Sequence, residues 1–131
     1  VDLELGTIRV SRFVGAFGGG RILNCKTAES QMRGGIIFGI GAALMEELAM
    51  DHARGRIVNC DLAEYQVPVH ADIPEIEVLF VEESDSFVND LGVKGIGELG
   101  ITGAAAAVAN AVYHATGKRV RELPIRLEKL L

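Results

Sequence analysis

An apolar stripe at helical spacing, interrupted by four glycines, limits the possible fold of this chain more than any other feature. Met32, Ile36, Ile40, Leu44 and Leu48 recur at every fourth position between about Thr27 and Met50, and Ile37 and Phe38 widen the apolar face. Gly34, Gly35, Gly39 and Gly41 lie inside the same stretch. A glycine in a helix interior costs about 0.8–1 kcal/mol relative to alanine, so the four together give up roughly 3–4 kcal/mol. Something must need the missing side chains. Either another backbone packs closely there, or a bulky cofactor lies against the start of the helix; both readings stand. The uncharged part, Gly34 to Met45, is bracketed by Arg33, Glu46 and Glu47 and falls short of the ~20 residues of a membrane span. A buried helix of a globular domain is expected.

The flanks place this helix in an α+β fold. Val1–Leu5 and Ile8–Val14 alternate around Gly6-Thr7 and predict an N-terminal β-hairpin. Gly18-Gly19-Gly20 ends its second strand. Gly20-Arg-Ile-Leu-Asn-Cys25 is nearly repeated as Gly55-Arg-Ile-Val-Asn-Cys60, which reads as two similar turn-to-strand passages. Leu62 to Val69 is expected to be extended up to Pro68, and Ile76–Val81 to be a strand. After the polar loop of residues 82–90, Ile101 to Thr116 forms an alanine-rich helix, with Gly117 as its C-cap and Lys118 and Arg119 at its negative end. Leu123-Pro124-Ile125 and Leu127 read as a tail packed back on the core. Strands, a long helix, a strand and a second helix without any linker make one α+β domain spanning residues 1–131.

Composition removes several classes of function. With 131 residues, 49% of them apolar, the chain can bury a core. Its net charge of -5 and scattered lysines and arginines disfavour nucleic acid and anionic membranes. Cys25 and Cys60 are too few for a four-ligand zinc site, and His52, His70 and His114 show no ligand spacing. Two ordinary thiols suit a reducing compartment. Val1 opens in mid-pattern, without the basic start or apolar run of a signal peptide, and the chain reads as part of a longer protein.

The segment with chemical potential is Gly92-Val-Lys-Gly-Ile-Gly-Glu-Leu-Gly100. Gly95-Ile-Gly97-Glu-Leu-Gly100 matches GxGxxG in form, but a dinucleotide fingerprint needs a strand running directly into the first glycine, and here a polar loop intervenes. The same residues read better as a carboxylate, Glu98, in a glycine-framed loop at a helix start. Glycines admit close approach of a ligand to the backbone. The helix dipole would favour the ionised carboxylate and burial would oppose it, which together describe a general base. Equally, Glu98 could simply cap the alanine-rich helix.

Three ordered blocks carry a family likeness. Gly92-Val-Lys-Gly-Ile-Gly-Glu98, followed by the alanine-rich helix and Ala109-Asn-Ala-Val-Tyr-His through Leu-Pro-Ile125, resembles the C-terminus of molybdenum hydroxylase large subunits. Gly20-Arg-Ile-Leu-Asn, Gln31, Gly34-Gly35, Gly39-Ile-Gly41 and Met45-Glu-Glu-Leu48 resemble that family's Gln-x-x-Gly helix. Asn59, Leu62-Ala-Glu-Tyr65, Pro68 and Asp72-Ile-Pro-Glu-Ile-Glu form the third block. The chain is thereby similar to the C-terminal part of the molybdopterin-binding subunit of the xanthine dehydrogenase/aldehyde oxidase family, most like its bacterial aldehyde-oxidising members.

The resemblance implies a molybdenum-molybdopterin cofactor, in the cytosine dinucleotide form, whose own dithiolene holds the metal, so that no protein metal ligand is expected. It implies Glu98 as general base in the oxidation of aldehydes or N-heterocycles, with water as the oxygen source. Cofactor contacts are implied at Gln31, Lys94, Gly95, Ile96 and Gly97. The rest of the large subunit and 2Fe-2S and FAD subunits or domains are the implied partners, and the cytoplasm the implied compartment, with the periplasm left open. A folded, non-catalytic fragment or assembly module that binds no cofactor by itself is the alternative reading of the chain.

Overall fold

A computed structural model describes all residues, 1–131. Its architecture is α+β: β1 (Arg12–Phe17), α1 (Cys25–Leu44), β2 (Met50–Asp51), β3 (Arg56–Ile57), β4 (Glu75–Phe80) and α2 (Ala104–Thr116), with short 3-10 turns at His70–Asp72 and Leu127–Lys129. No helix is long and apolar enough to cross a membrane.

β1 and β4 pair in parallel, from Arg12 opposite Glu75 to Phe17 opposite Phe80. Side chains alternate across a strand, so Phe13, Phe17, Ile76 and Val78 turn toward the helices. Val14 and Leu79 lie on the opposite, exposed face. The core joins this inner face to Ile36, Ile40 and Ala43 of α1 and Val108 and Val112 of α2. Ile125 and Leu130 of the tail close it, and the Ile125 N–H donates to the Ala43 carbonyl at 2.7 Å. The expected tail packing is therefore present. β2 and β3 form a separate antiparallel pair.

The glycines of α1 explain how its lost propensity is offset. An added Cβ at Gly35 would come within 2.8 Å of the Gly100 carbonyl carbon and the Ile101 nitrogen, and one at Gly39 would overlap the Ala104 methyl. On the facing side, a Cβ at Gly100 would lie 2.6 Å from the Met32 carbonyl oxygen. Close backbone packing between α1 and the approach to α2 thus accounts for Gly35 and Gly39. Gly41 is closed off by Pro68 and Glu46. Gly34 has nothing within 4 Å.

Several boundaries differ from expectation. The N-terminal β-hairpin is reduced to one antiparallel bridge, Asp2 to Thr7. Asp2 Oδ1 accepts the Glu4 and Leu5 N–H groups and curls that segment into a turn. The next strand starts only at Arg12 and pairs with β4, because Phe13 and Phe17 find an apolar partner there. α1 ends at Leu44 instead of near Met50. Beyond it Asn59 binds the chain away from the helix axis, donating to the Glu47 carbonyl at 2.6 Å and accepting the Ala49 N–H at 2.8 Å. Leu62–Val69 begins as a turn, since Asp61 Oδ1 accepts the Ala63 and Glu64 N–H groups. Gly20 and Gly55 both adopt positive φ, 64° and 62°. Only Gly55 leads into a strand; Gly20 leads to Asn24, which caps α1 by accepting the Thr27 N–H at 3.1 Å.

α2 begins at Ala104, a turn later than expected, and Gly117 ends it at φ 72° as its sequence position suggests. Arg119 stacks over the Tyr113 ring at 3.8 Å and donates to Asn110, while Lys118 reaches the Leu131 carbonyl.

Candidate cofactor-facing site

In parallel sheets ligands gather beyond the carboxyl ends of the strands. Here the turn after β1 and the loop after β4 leave the same end of the sheet. Beside them lies a cleft of about 490 Å³, lined among others by Gly19, Arg21, Asn24, Thr27, Gln31, Lys94, Ile96 and Gly97. Four of the five residues implied as cofactor contacts therefore border one cleft. Gly95, the fifth, lies between two of them in the same loop.

Gln31 extends from α1 and its Nε2 donates to the Gly97 carbonyl at 2.5 Å. This fixes the peptide plane that precedes Glu98. In a trans peptide the N–H points opposite to the carbonyl, so the Glu98 N–H is turned away from Gln31. The N–H groups of Gly95, Ile96, Gly97 and Glu98 make no hydrogen bond within the chain. Neither Gly95 nor Gly97 adopts positive φ, and an added Cβ at either would meet nothing within 4 Å. The chain itself does not require glycine at these two positions.

Glu98 sits in a succession of tight turns between this loop and α2. Its carbonyl accepts the Ile101 N–H at 3.3 Å and the Thr102 hydroxyl at 3.0 Å. Its carboxylate has no hydrogen bond or ion pair inside the chain, and the residue is exposed. The capping alternative is not realised, since α2 is capped at Gly103 without any side-chain bond. The expected partial burial of Glu98 is also absent from this chain.

Lys94 borders the cleft, and its side chain is engaged within the chain. Its Nζ is bound by Glu83 and lies 3.3 Å from Asp85 Oδ2. Glu83 holds the ammonium above the ordinary lysine range, and Asp85 adds to this. Lys94, followed by the Gly20 N–H, holds the Glu83 carboxyl below its ordinary range. Asp85 is lowered by the Phe87 N–H and then by Lys94. Lys94 borders the cleft with its ammonium already neutralised.

Sequence reading missed Arg21, Asn24 and Thr27 as cleft residues and Glu83 and Asp85 as partners of Lys94. Arg21 stands directly after the glycine cluster, which was a usable signal. The 11-residue separation of Glu83 and Lys94 follows no local rule.

Open amides, glycine approaches, the Gln31 amide and the Arg21 guanidinium, which forms no ion pair within the chain, fit a flat heterocycle carrying oxygen and phosphate groups. The fold and cleft define a class: a small α+β unit with a glycine loop bordering a cleft and, directly after that loop, a carboxylate without a partner in the chain. Comparison with known proteins gives that class its family. Residues 1–74 match the molybdopterin cofactor-binding domain family, and the chain belongs to it. It is 56% identical over 131 residues to the aldehyde oxidoreductase molybdenum-binding subunit of Escherichia coli K12, covering all of this chain and 18% of that protein. It is 38% identical over 130 residues to a xanthine dehydrogenase molybdenum-binding subunit of Escherichia coli O157:H7, covering 99% of this chain and 17% of the relative. The solved aldehyde oxidoreductase of Desulfovibrio gigas superposes with a TM-score of 0.87 at 30% identity, over 100% of this chain and 14% of that structure. The chain thus spans less than a fifth of the relatives it matches.

Proposed function

We propose that this chain is the C-terminal part of the large subunit of a molybdenum-dependent hydroxylase and carries its general base, Glu98. The observation that carries the reading is the unpartnered Glu98 carboxylate, standing directly after a run of unbonded loop amides at the cleft. The bound molybdopterin, in its cytosine dinucleotide form, supplies the two-electron redox chemistry. This chain contributes position and proton transfer. The amides of Gly95–Glu98 donate to cofactor oxygens, Arg21 balances phosphate charge, and Gln31 holds the Gly97 peptide so that Glu98 follows at a fixed point. Glu98 accepts the proton lost by water as its oxygen is transferred to substrate. Aldehydes are the favoured substrates, with N-heterocycles second, in keeping with the two relatives.

The remainder of the large subunit and 2Fe-2S and FAD subunits or domains are the proposed partners. Half-exposed Val14 and Leu79 on the outer sheet face suit burial against further polypeptide. The exposed free thiols Cys25 and Cys60 suit the cytoplasm.

Glu98→Gln in the complete enzyme is the test. Turnover should fall by at least the roughly 10²–10⁴ of a lost acid–base group, with bound molybdenum near normal. Loss of molybdenum instead would assign Glu98 a structural role. The alternative, that these 131 residues alone form a fragment without cofactor, is favoured for the isolated chain by its open cleft. Metal and pterin analysis of the purified chain decides it; stoichiometric molybdenum would overturn it.

A further inference from the structure

The loop that ends at Glu98 is tied at both ends. Gln31 holds one end through the Gly97 carbonyl. Lys94 holds the other through Glu83 and Asp85. Glu83 also makes a second contact that Asp85 does not: its Oε2 accepts the Gly20 N–H at 3.2 Å. Gly20 is bridged to Val93, and the Arg21 N–H donates to the Gly92 carbonyl at 2.8 Å. One carboxylate therefore joins the turn after β1, the loop after β4 and the segment leading to Glu98.

The junction has little slack. Gly20 has φ 64°, and an added Cβ there would lie 2.6 Å from the Gly92 carbonyl oxygen. Both Glu83 oxygens act as acceptors, one for an ammonium and one for an amide. A glutamine would put a donor where one of those acceptors is needed. The displaced ionisation of Glu83 and Lys94 agrees with a formed contact.

We propose that Glu83 is a positioning residue for Glu98: by fixing Lys94 against the Gly20 turn, it sets where the Gly95–Glu98 segment stands at the cleft. The inference rests on Glu98 being the base. Its physical basis is the steep dependence of proton transfer on placement, and supporting residues of this kind commonly matter by about 10–100-fold.

The experiment uses the full-length protein, comparing Glu83→Gln and Glu83→Ala with the unaltered protein. Glu77→Gln is the control, because it removes the exposed ion pair with Arg12 on the sheet. Amide hydrogen exchange is followed across residues 92–98, together with bound molybdenum and kcat and KM for an aldehyde. Both Glu83 variants should exchange faster across 92–98, with kcat per bound molybdenum lower by about tenfold and KM little changed; the control should match the unaltered protein. Unchanged exchange and unchanged kcat in Glu83→Gln would overturn the proposal, as would a loss confined to thermal stability. Should Glu83→Ala fail to fold, Glu83→Gln, which keeps the volume and one acceptor, decides alone. If the unaltered protein holds no molybdenum, the functional reading falls, and exchange across 92–98 still shows whether Glu83 fixes the loop.

Discussion

The seam between α1 and the approach to α2 and the loop before Glu98 are both rich in glycine, and they use it for opposite purposes. At Gly35, Gly39 and Gly100 a methyl group would strike another backbone or Ala104. At Gly95 and Gly97 it would strike nothing, and the neighbouring amides are unbonded. The first set is explained by the chain's own packing. The second has no explanation within the chain, which is what the proposed approach of a cofactor would require. Lack of clearance at the absent Cβ marks a packing role; open space points outward only where unbonded amides accompany it, as at Gly95 and Gly97 but not at helical Gly34.

The largest expected effect that sharpens this contrast is at the open loop. Glu98→Gln should cost roughly 10²–10⁴ in kcat with an unchanged unfolding temperature, measured by steady-state kinetics and calorimetry on the loaded enzyme. In the closed seam, Gly35→Ala and Gly39→Ala should each destabilise by about 1–3 kcal/mol through overpacking, read as a lowered unfolding midpoint. Gly95→Ala should show the converse pattern, with a normal midpoint and less bound molybdenum by metal analysis. If it lowers stability like Gly39→Ala, the two regions do not differ as described.

Acidity should loosen the loop's anchor. Glu83 is depressed by Lys94 and the Gly20 N–H, so its contribution is complete above the ordinary carboxylate range and is lost as pH falls through its lowered value. Lys94 is raised by Glu83, so its contribution is complete below the ordinary lysine range and is lost only in strong base. Amide exchange across 92–98, corrected for its intrinsic pH dependence, should be flat near neutrality and accelerate in acid, a step that Glu83→Gln removes. The smallest change is at Gly34, which has open space around it. Gly34→Ala should stabilise the helix by somewhat under ~1 kcal/mol in a denaturant titration.

Much of the fold was legible because local rules governed it. The Ile36–Ile40 spacing, the Gly117 cap and the strand expected at Ile76–Val81 and found at Glu75–Phe80 each depend on neighbours a few residues away. Local rules failed where distant groups competed. Asn59 draws the chain off α1 before Leu48 can join its stripe. β4 takes the second strand of the expected hairpin as its parallel partner. At the site, Gln31 and the Gly95–Gly97 loop were legible through family likeness, and the structure brings them together. The engagement of the Lys94 ammonium by Glu83 and Asp85 was not legible, because only the folded loop creates those contacts.

The parallel register of β1 and β4 reaches beyond the sheet. Gly20 and Glu83 each stand three residues past the paired Phe17 and Phe80, so the strand register sets which peptide the Glu83 carboxylate meets. The two strands therefore act as a vernier for the loop that follows. Deleting a single residue from either strand would turn its inward side chains outward and also leave Glu83 facing the wrong peptide. Strand length in such a chain is a functional dimension, and insertions should be tolerated in the β2–β3 turn long before they are tolerated here.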